Sequence, residues 1–206
     1  MKSNICLIRH GLTEGNLRRL YYGASDIPLS GKGEEELRKL AAEGIYPAAE
    51  EADFYTTGMI RTEQTLKLIY GEQEHQVLPL LKEINFGEFE MKSYEEMKDD
   101  PVYQEWMSDK SGTLPPPGGE SIQQFTSRIR EGFEDLKKRH ALKILSMRHS
   151  GMEAWSVVVC HGGPVSAVLE TLFPGEKDNF YKWIPDPGHG YILRMEDLDV
   201  VSAEKF

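Results

Sequence analysis

An α/β fold, with a mostly parallel central sheet covered by helices on both faces, is predicted by three observations. First, two apolar runs, Ile5 to Ile8 and Val157 to Cys160, lead into Arg9, His10 and Gly11 and into His161, Gly162 and Gly163. Second, such extended runs alternate along the chain with segments of helical periodicity, which is the pattern of strand and crossover helix. Third, no proline-rich or serine-rich linker divides the 206 residues. A single domain over 1–206 with one sizeable core is therefore expected.

After the first strand, the stretch Gly11 to Leu29 reads as a loop containing Gly15, Gly23, Asp26 and Pro28. Ser30 then precedes a helix with apolar positions Leu37, Leu40 and Ala41 that ends near Gly44. Asp53 to Thr57 reads as the second strand and Met59 to Tyr70 as a helix whose inner face carries Thr65, Leu66 and Ile69. Arg61 falls in its first turn, where unpaired backbone amides already attract anions. Gln76 to Leu81 is a third extended piece, leading to Glu83. From about 85 to 120 the pattern loosens into aromatics and acids, closing on Pro115, Pro116, Pro117 and two glycines; a cap or lid inserted over a site is expected there.

Ser121, with Gln124 three residues on, has the form of a capping box, and Ile122, Phe125, Ile129, Phe133 and Leu136 make one apolar stripe at helical spacing. The strand into His161 follows. Pro164 suits the first position of the next helix, and Tyr191 to Met195 reads as the last strand.

Composition narrows the function. With 24 Lys plus Arg against 34 Asp plus Glu, the net charge of −10 repels nucleic acid and anionic membranes at long range. A phosphate ester is repelled too, so a phosphate site needs its cations concentrated in a cleft. The partners expected are a small phosphorylated metabolite and, at most, a second copy of the chain as a homodimer. The only cysteines, Cys6 and Cys160, sit in apolar strands. Side-chain alternation puts Cys6 on the face of His10 and Cys160 opposite His161, so two unpaired buried thiols in a reducing compartment are expected. Met1 to Asn4 pass directly into a strand without a leader pattern, and a cytoplasmic location is the expectation. His75, His140, His149 and His189 lack ligand spacing with Cys or acidic partners, so neither a metal nor another cofactor is expected.

Ligands of open α/β sheets bind at the carboxyl ends of strands, so His10 and His161 are candidates for one pocket although far apart in sequence. Metal-free phosphoryl transfer needs a nucleophile, cations for the nonbridging oxygens and an acid for the leaving alkoxide. Imidazole, with an unperturbed pKa of about 6.5, is a usable nucleophile near neutrality. Arg9 and Arg61 supply fork-shaped donors that match phosphate oxygens, and Gly11 lets backbone and ligand approach closely. His161 beside bound phosphate is expected as a charged donor. Glu83 is the candidate acid, since burial beside a phosphate dianion raises a carboxyl pKa from its usual ~4.3. Taken singly, each of these residues also has a bland reading: a tight turn after a buried strand, a surface helix arginine, a solvated loop carboxylate.

The run Leu7 to Asn16 resembles the opening motif of the histidine phosphatase superfamily, the phosphoglycerate mutase-like fold. Gly23, Asp26, Pro28, Leu29, Ser30 and Gly33 resemble its next segment, Thr56 to Thr65 its second arginine motif, Glu83 to Glu90 its acid motif, and Cys160 to Gly163 its second histidine motif. The resemblance implies a three-layer α/β/α domain with a small cap, His10 as phosphate acceptor and Glu83 as proton donor. It makes Arg9, Asn16, Arg61, His161 and Gly162 the phosphate pocket. Leu12 stands where an acid is common, Gly15 where tryptophan is frequent, and Thr57 and Gly58 where Ser and Pro are usual.

Pro117 to Ser121 resemble a loop of the phosphatase branch, which includes α-ribazole phosphatases. Mutases of the fold carry a longer, basic insertion. Here that stretch holds Glu88, Glu90, Glu95, Glu96, Asp99, Asp100, Glu105 and Asp109 against Lys92, Lys98 and Lys110. The expected activity is hydrolysis of a monoester whose organic part is neutral, a nucleoside or a sugar, with the aromatics from Phe86 to Trp106 read first as the hydrophobic underside of the cap and, as the alternative, with Tyr103 or Trp106 available for stacking. Mutase activity and noncatalytic binding of a phosphorylated ligand are the rival readings.

Overall fold

A computed structural model describes residues 2–48 and 50–206. Its elements in chain order are β1 (Lys2–Arg9), α1 (Glu14–Leu17), β2 (Leu20–Tyr21), α2 (Gly31–Glu43), β3 (Asp53–Thr56), α3 (Ile60–Tyr70) and β4 (His75–Val77). They continue with β5 (Lys92–Ser93), α4 (Tyr94–Met97), α5 (Pro101–Ser108), α6 (Ile122–Met147), β6 (Ala154–Cys160), α7 (Gly162–Leu172), β7 (Gly190–Glu196) and β8 (Asp199–Lys205).

The main sheet has the order β4-β3-β6-β1-β7-β8. Its first four strands are mutually parallel, and β7 and β8 complete it by antiparallel pairing. Both faces of β1 and β6 are buried, as their nearly unbroken apolar sequences require. On one face Ile5, Leu7, Val158 and Cys160 pack with Phe125, Ile129 and Leu136 of α6 and Val165 and Leu169 of α7. On the other, Cys6, Ile8, Val157 and Val159 pack with Phe54 and with Leu66 of α3. This is the three-layer α/β/α arrangement anticipated above, and the free thiols of Cys6 and Cys160 lie on opposite faces.

Several local expectations change. The supposed loop after β1 contains α1 and β2, and β2 pairs with β5 from the 85–120 stretch. The third extended piece is a strand only over His75–Val77; Pro79, with no N–H to give a ladder, turns the chain into a 3-10 helix over Pro79–Leu81. Helix α7 starts at Gly162, so Pro164 occupies its third position, within the turn whose amides need no intrahelical partner. The Ser121 capping box is present, but Ile122 is 46% exposed and leaves the inner stripe to Phe125, Ile129, Phe133 and Leu136.

Strand β8 escaped the sequence reading altogether. Its hairpin turns through Asp197 and Leu198 with φ of 51° and 81°, positions where Asn-Gly is the usual signal, and its exposed edge is largely polar.

Within 85–120, Phe89, Met97 and Tyr103 form a small core of their own, flanked by Tyr21, Phe86 and Trp106. Among the described residues no helix is long and apolar enough to cross a membrane.

Candidate active site

Strands β1 and β6 are parallel neighbours in a register that sets Arg9 beside Cys160. The residues that follow, His10 and His161, therefore emerge side by side, on the same face by alternation. Their ring centroids lie 5.2 Å apart, edge to face.

The Nδ1 of His10 is 2.7 Å from the carbonyl oxygen of Gly11. A carbonyl only accepts, so Nδ1 carries the proton and Nε2 keeps its lone pair. Burial, then the positive charge of Arg61, holds the His10 pKa well below its ordinary value. His161 is fully buried, and burial followed by the Arg61 charge lowers its pKa as well. Its Nδ1 accepts from Arg61 Nε at 3.2 Å, so its Nε2–H donates to Thr57 Oγ1 at 2.9 Å. These two hydrogen bonds are those of a neutral imidazole. It stands behind His10 and Arg61 and is absent from the cavity wall.

Arg61 is completely buried, its guanidinium over the ring of Tyr22 at 5.2 Å from the centroid. Nη1 donates to Ser25 O at 2.9 Å and Nη2 to Gly23 O at 2.8 Å. The amides of that loop converge in turn on Glu90: Gly23 N at 2.9 Å, Ala24 N at 3.0 Å, Ser25 N at 3.0 Å, joined by Phe86 N at 2.9 Å. Burial alone would raise the Glu90 pKa, but these donors outweigh it and the net direction is down. Arg9 is anchored from the other side by Nη1 donating to Pro185 O at 2.8 Å, while its buried Nε–H has no partner. A charged donor left unsatisfied in the interior is costly, and an anion would satisfy it. Gly162 lies against this guanidinium, where a Cβ would come 3.2 Å from Nε.

Glu83 is partly buried. Its Oε2 accepts from Gly163 N at 2.9 Å and its Oε1 from Ile84 N at 3.0 Å. Burial raises its pKa, and the hydrogen bonds and the two arginines only partly offset this. Arg9, His10, Asn16, Arg61, Glu83 and Gly162 all line one cavity of ≈ 760 Å³. Asn16 Oδ1 accepts from Thr13 N and Oγ1, both at 3.1 Å, which turns its amide NH2 away from that cap. Among the described residues, no cluster of three or more His, Cys, Asp or Glu is arranged to hold a metal.

Other expectations are corrected. Gly11 is needed for packing: a Cβ there would meet Leu37 Cδ1 at 2.5 Å, and its N–H donates to Thr65 Oγ1. Tyr103 is buried inside the 85–120 core with its hydroxyl on Tyr21, so only Trp106 of that pair faces the cavity. Of the acids in that stretch only Asp109 reaches the cavity wall, so their sum is not what a ligand meets. Tyr22, Thr57 and Glu90 went unassigned. Thr57 keeps a hydroxyl where Ser is usual, and the Tyr22 ring fills the space left by Gly15, where a Cβ would come within 2.5 Å of it.

Comparison with known proteins places the chain in a family. The profile described as "Histidine phosphatase superfamily (branch 1)" matches residues 5–202. The adenosylcobalamin/alpha-ribazole phosphatase of Escherichia coli is 27% identical over 170 residues, 79% of this chain and 81% of that protein. A 2,3-bisphosphoglycerate-dependent phosphoglycerate mutase of Bradyrhizobium diazoefficiens is 33% identical over 184 residues, 82% of each chain. Among solved structures, a phosphoglycerate mutase from Thermus thermophilus superposes with a TM-score of 0.66 at 28% identity, covering 97% of both chains.

Proposed function

Because this chain belongs to branch 1 of the histidine phosphatase superfamily, we propose that it is a metal-independent phosphomonoesterase working through a phosphohistidine at His10. The His10 Nε2 lone pair attacks phosphorus and the ester P–O bond breaks. Glu83 transfers its proton to the departing alkoxide, and its carboxylate then takes a proton from water as that water attacks phosphorus and the P–N bond breaks, returning the electron pair to Nε2. Phosphate leaves, and the imidazole and the carboxylic acid are restored. Arg9 and Arg61 hold the nonbridging oxygens, with Asn16 and the backbone at Gly162 beside them, and His161 orients Arg61. The observation that carries this reading is the neutral His10, whose Nδ1–H is committed to Gly11 O.

The charge of the cavity favours hydrolysis over the mutase alternative. Among its described lining residues the only Lys or Arg side chains are Arg9 and Arg61, both at the phosphate end, and the far wall carries Asp109. A bisphosphorylated acid would bring further anions to a region without cations. A noncatalytic binding module would have no use for a proton-donating carboxyl placed opposite the phosphate arginines. On charge alone, a small monoester whose organic part is neutral qualifies, with α-ribazole phosphate or a sugar or nucleoside phosphate as examples. The two buried free thiols fit a reducing, cytoplasmic setting.

The test is turnover of p-nitrophenyl phosphate by wild type and His10→Ala, with and without chelator, followed by 3-phosphoglycerate isomerisation. Chelator-resistant turnover lost in the variant is expected. Turnover surviving the substitution, or efficient isomerisation, overturns the reading.

A further inference from the structure

The catalytic groups occupy one end of the cavity. At ≈ 760 Å³ it has the size of a pocket for a drug-sized ligand (about 300–1,000 Å³), far more than a phosphate needs. Its remaining wall is aromatic and aliphatic. Phe86 and Trp106 come from the 85–120 stretch, Ile122 and Phe125 from the start of α6, and Phe180 and Tyr181 from the opposite rim.

Trp106 is held in place by rings on several sides: Tyr21 at 6.0 Å, Phe86 at 6.2 Å, Phe89 at 5.4 Å and Tyr103 at 5.8 Å between centroids. The wall is thus built before any ligand arrives, which reduces the ordering cost of binding. Ile122 and Tyr181 are left 46% and 76% exposed while facing this concavity, where an apolar guest would cover them. Among the described lining residues no Lys or Arg stands at this end, and the one carboxylate there, Asp109, is occupied by Ser111 and Leu114.

We infer that the alcohol portion of the substrate is a bulky, neutral, aromatic group seated on the Trp106 wall, rather than a sugar or an acidic chain. This rests on the phosphatase reading for its catalytic readout, and the arrangement makes Trp106 and Tyr181 specificity-determining. A hydroxyl-rich sugar would lose water contacts here without recovering hydrogen bonds, whereas an aromatic group exchanges water for ring faces.

The experiment compares kcat/KM for 2-(2-naphthyl)ethyl phosphate, ethyl phosphate and glucose 6-phosphate, all esters of primary alcohols. The naphthyl ester is expected to lead ethyl phosphate by about 30-fold or more, mainly through KM. Trp106→Ala is expected to shrink that ratio about 10-fold, with Trp106→Phe restoring part of it. Tyr181→Ala, at an exposed position that the fold does not need, is expected to shrink it in the same direction. Calorimetric binding of 2-naphthylmethylphosphonate against methylphosphonate provides a second readout independent of turnover. A preference of about 10-fold or more for the naphthyl compound is expected.

Equal binding of the two phosphonates, a lead for glucose 6-phosphate, or ratios unmoved in both variants overturns the inference. Absence of turnover with the binding preference intact overturns the phosphatase reading and leaves the aromatic subsite standing.

Discussion

The backbone N–H of Gly163 donates to Glu83 Oε2 at 2.9 Å, joining the first turn of α7 to a carboxyl group two residues beyond the 3-10 segment Pro79–Leu81. One short helix start thus follows His161 directly and fixes the acid that stands across the cavity. The fit leaves no room: a Cβ on residue 163 would lie 2.2 Å from Glu83 Oε1.

Gly163→Ala is accordingly expected to displace the carboxyl group while leaving the helix intact, since alanine favours helix. Turnover of alkyl esters should fall about 100-fold, the low end of what a positioned general acid contributes. p-Nitrophenyl phosphate, whose leaving group needs little protonation, should lose far less. Circular dichroism checks the fold, and equal losses on both esters would contradict the assignment.

Glu83→Gln should show the same leaving-group split and also a change in pH profile. Burial raises the Glu83 pKa, and the alkaline limb of kcat/KM on alkyl esters reports loss of the proton that the acid must donate. That limb should flatten in the variant. Stability should move as well. A carboxyl whose folded pKa is raised contributes stability below its unfolded value of about 4.5 that is lost as pH rises through the folded value. Denaturant melts should therefore show the Gln variant gaining on wild type as pH rises above about 4.5.

Acid should destabilise the protein through buried imidazoles. His140 is fully buried, bonded through Nδ1 to Ser156 Oγ at 2.9 Å with Nε2 unpartnered, and burial pushes its pKa from 6.5 to about 4. His10 and His161 are lowered in the same sense. Because these folded pKa values lie below the unfolded one, the unfolded chain takes up protons first. Stability is in place above about pH 6.5 and is lost as pH falls towards 4, at a cost of up to about 3 kcal/mol for His140 alone. A His140→Gln variant should show a shallower loss across that window, and an unchanged slope would count against this origin.

Glu90→Gln should weaken phosphate binding without touching substrate. The carboxylate gathers the amides of Gly23, Ala24 and Ser25, whose carbonyls at 23 and 25 hold Arg61. Loss of charge-assisted bonds of this kind costs about 1.5–3 kcal/mol. The inhibition constant for inorganic phosphate should rise about 10-fold together with a lower melting temperature. A drop in melting temperature with unchanged phosphate inhibition would mean a purely structural role.

Much of this molecule was legible along the chain. The apolar runs ending at His10 and His161 identified the two strands, because a strand buried on both faces has to be apolar almost throughout. The Ser121 capping box and the spacing of Phe125, Ile129 and Phe133 identified the long helix. Residues whose chemistry is local, such as Arg9 next to His10, could be nominated from their type and position.

What stayed hidden were relations between distant segments. The shared pocket of His10 and His161 was anticipated, but the exact β1–β6 register, the Glu90 carboxylate that organises the loop holding Arg61, and the aromatic wall around Trp106 each join chain positions with no shared local pattern. The turn at Asp197 and Leu198 was missed for the complementary reason that tertiary pairing of β8 holds a backbone its residue types do not prefer. Periodicity records which face of an element avoids water; only the packed sheet decides which faces meet, and therefore where charge, burial and empty space coincide.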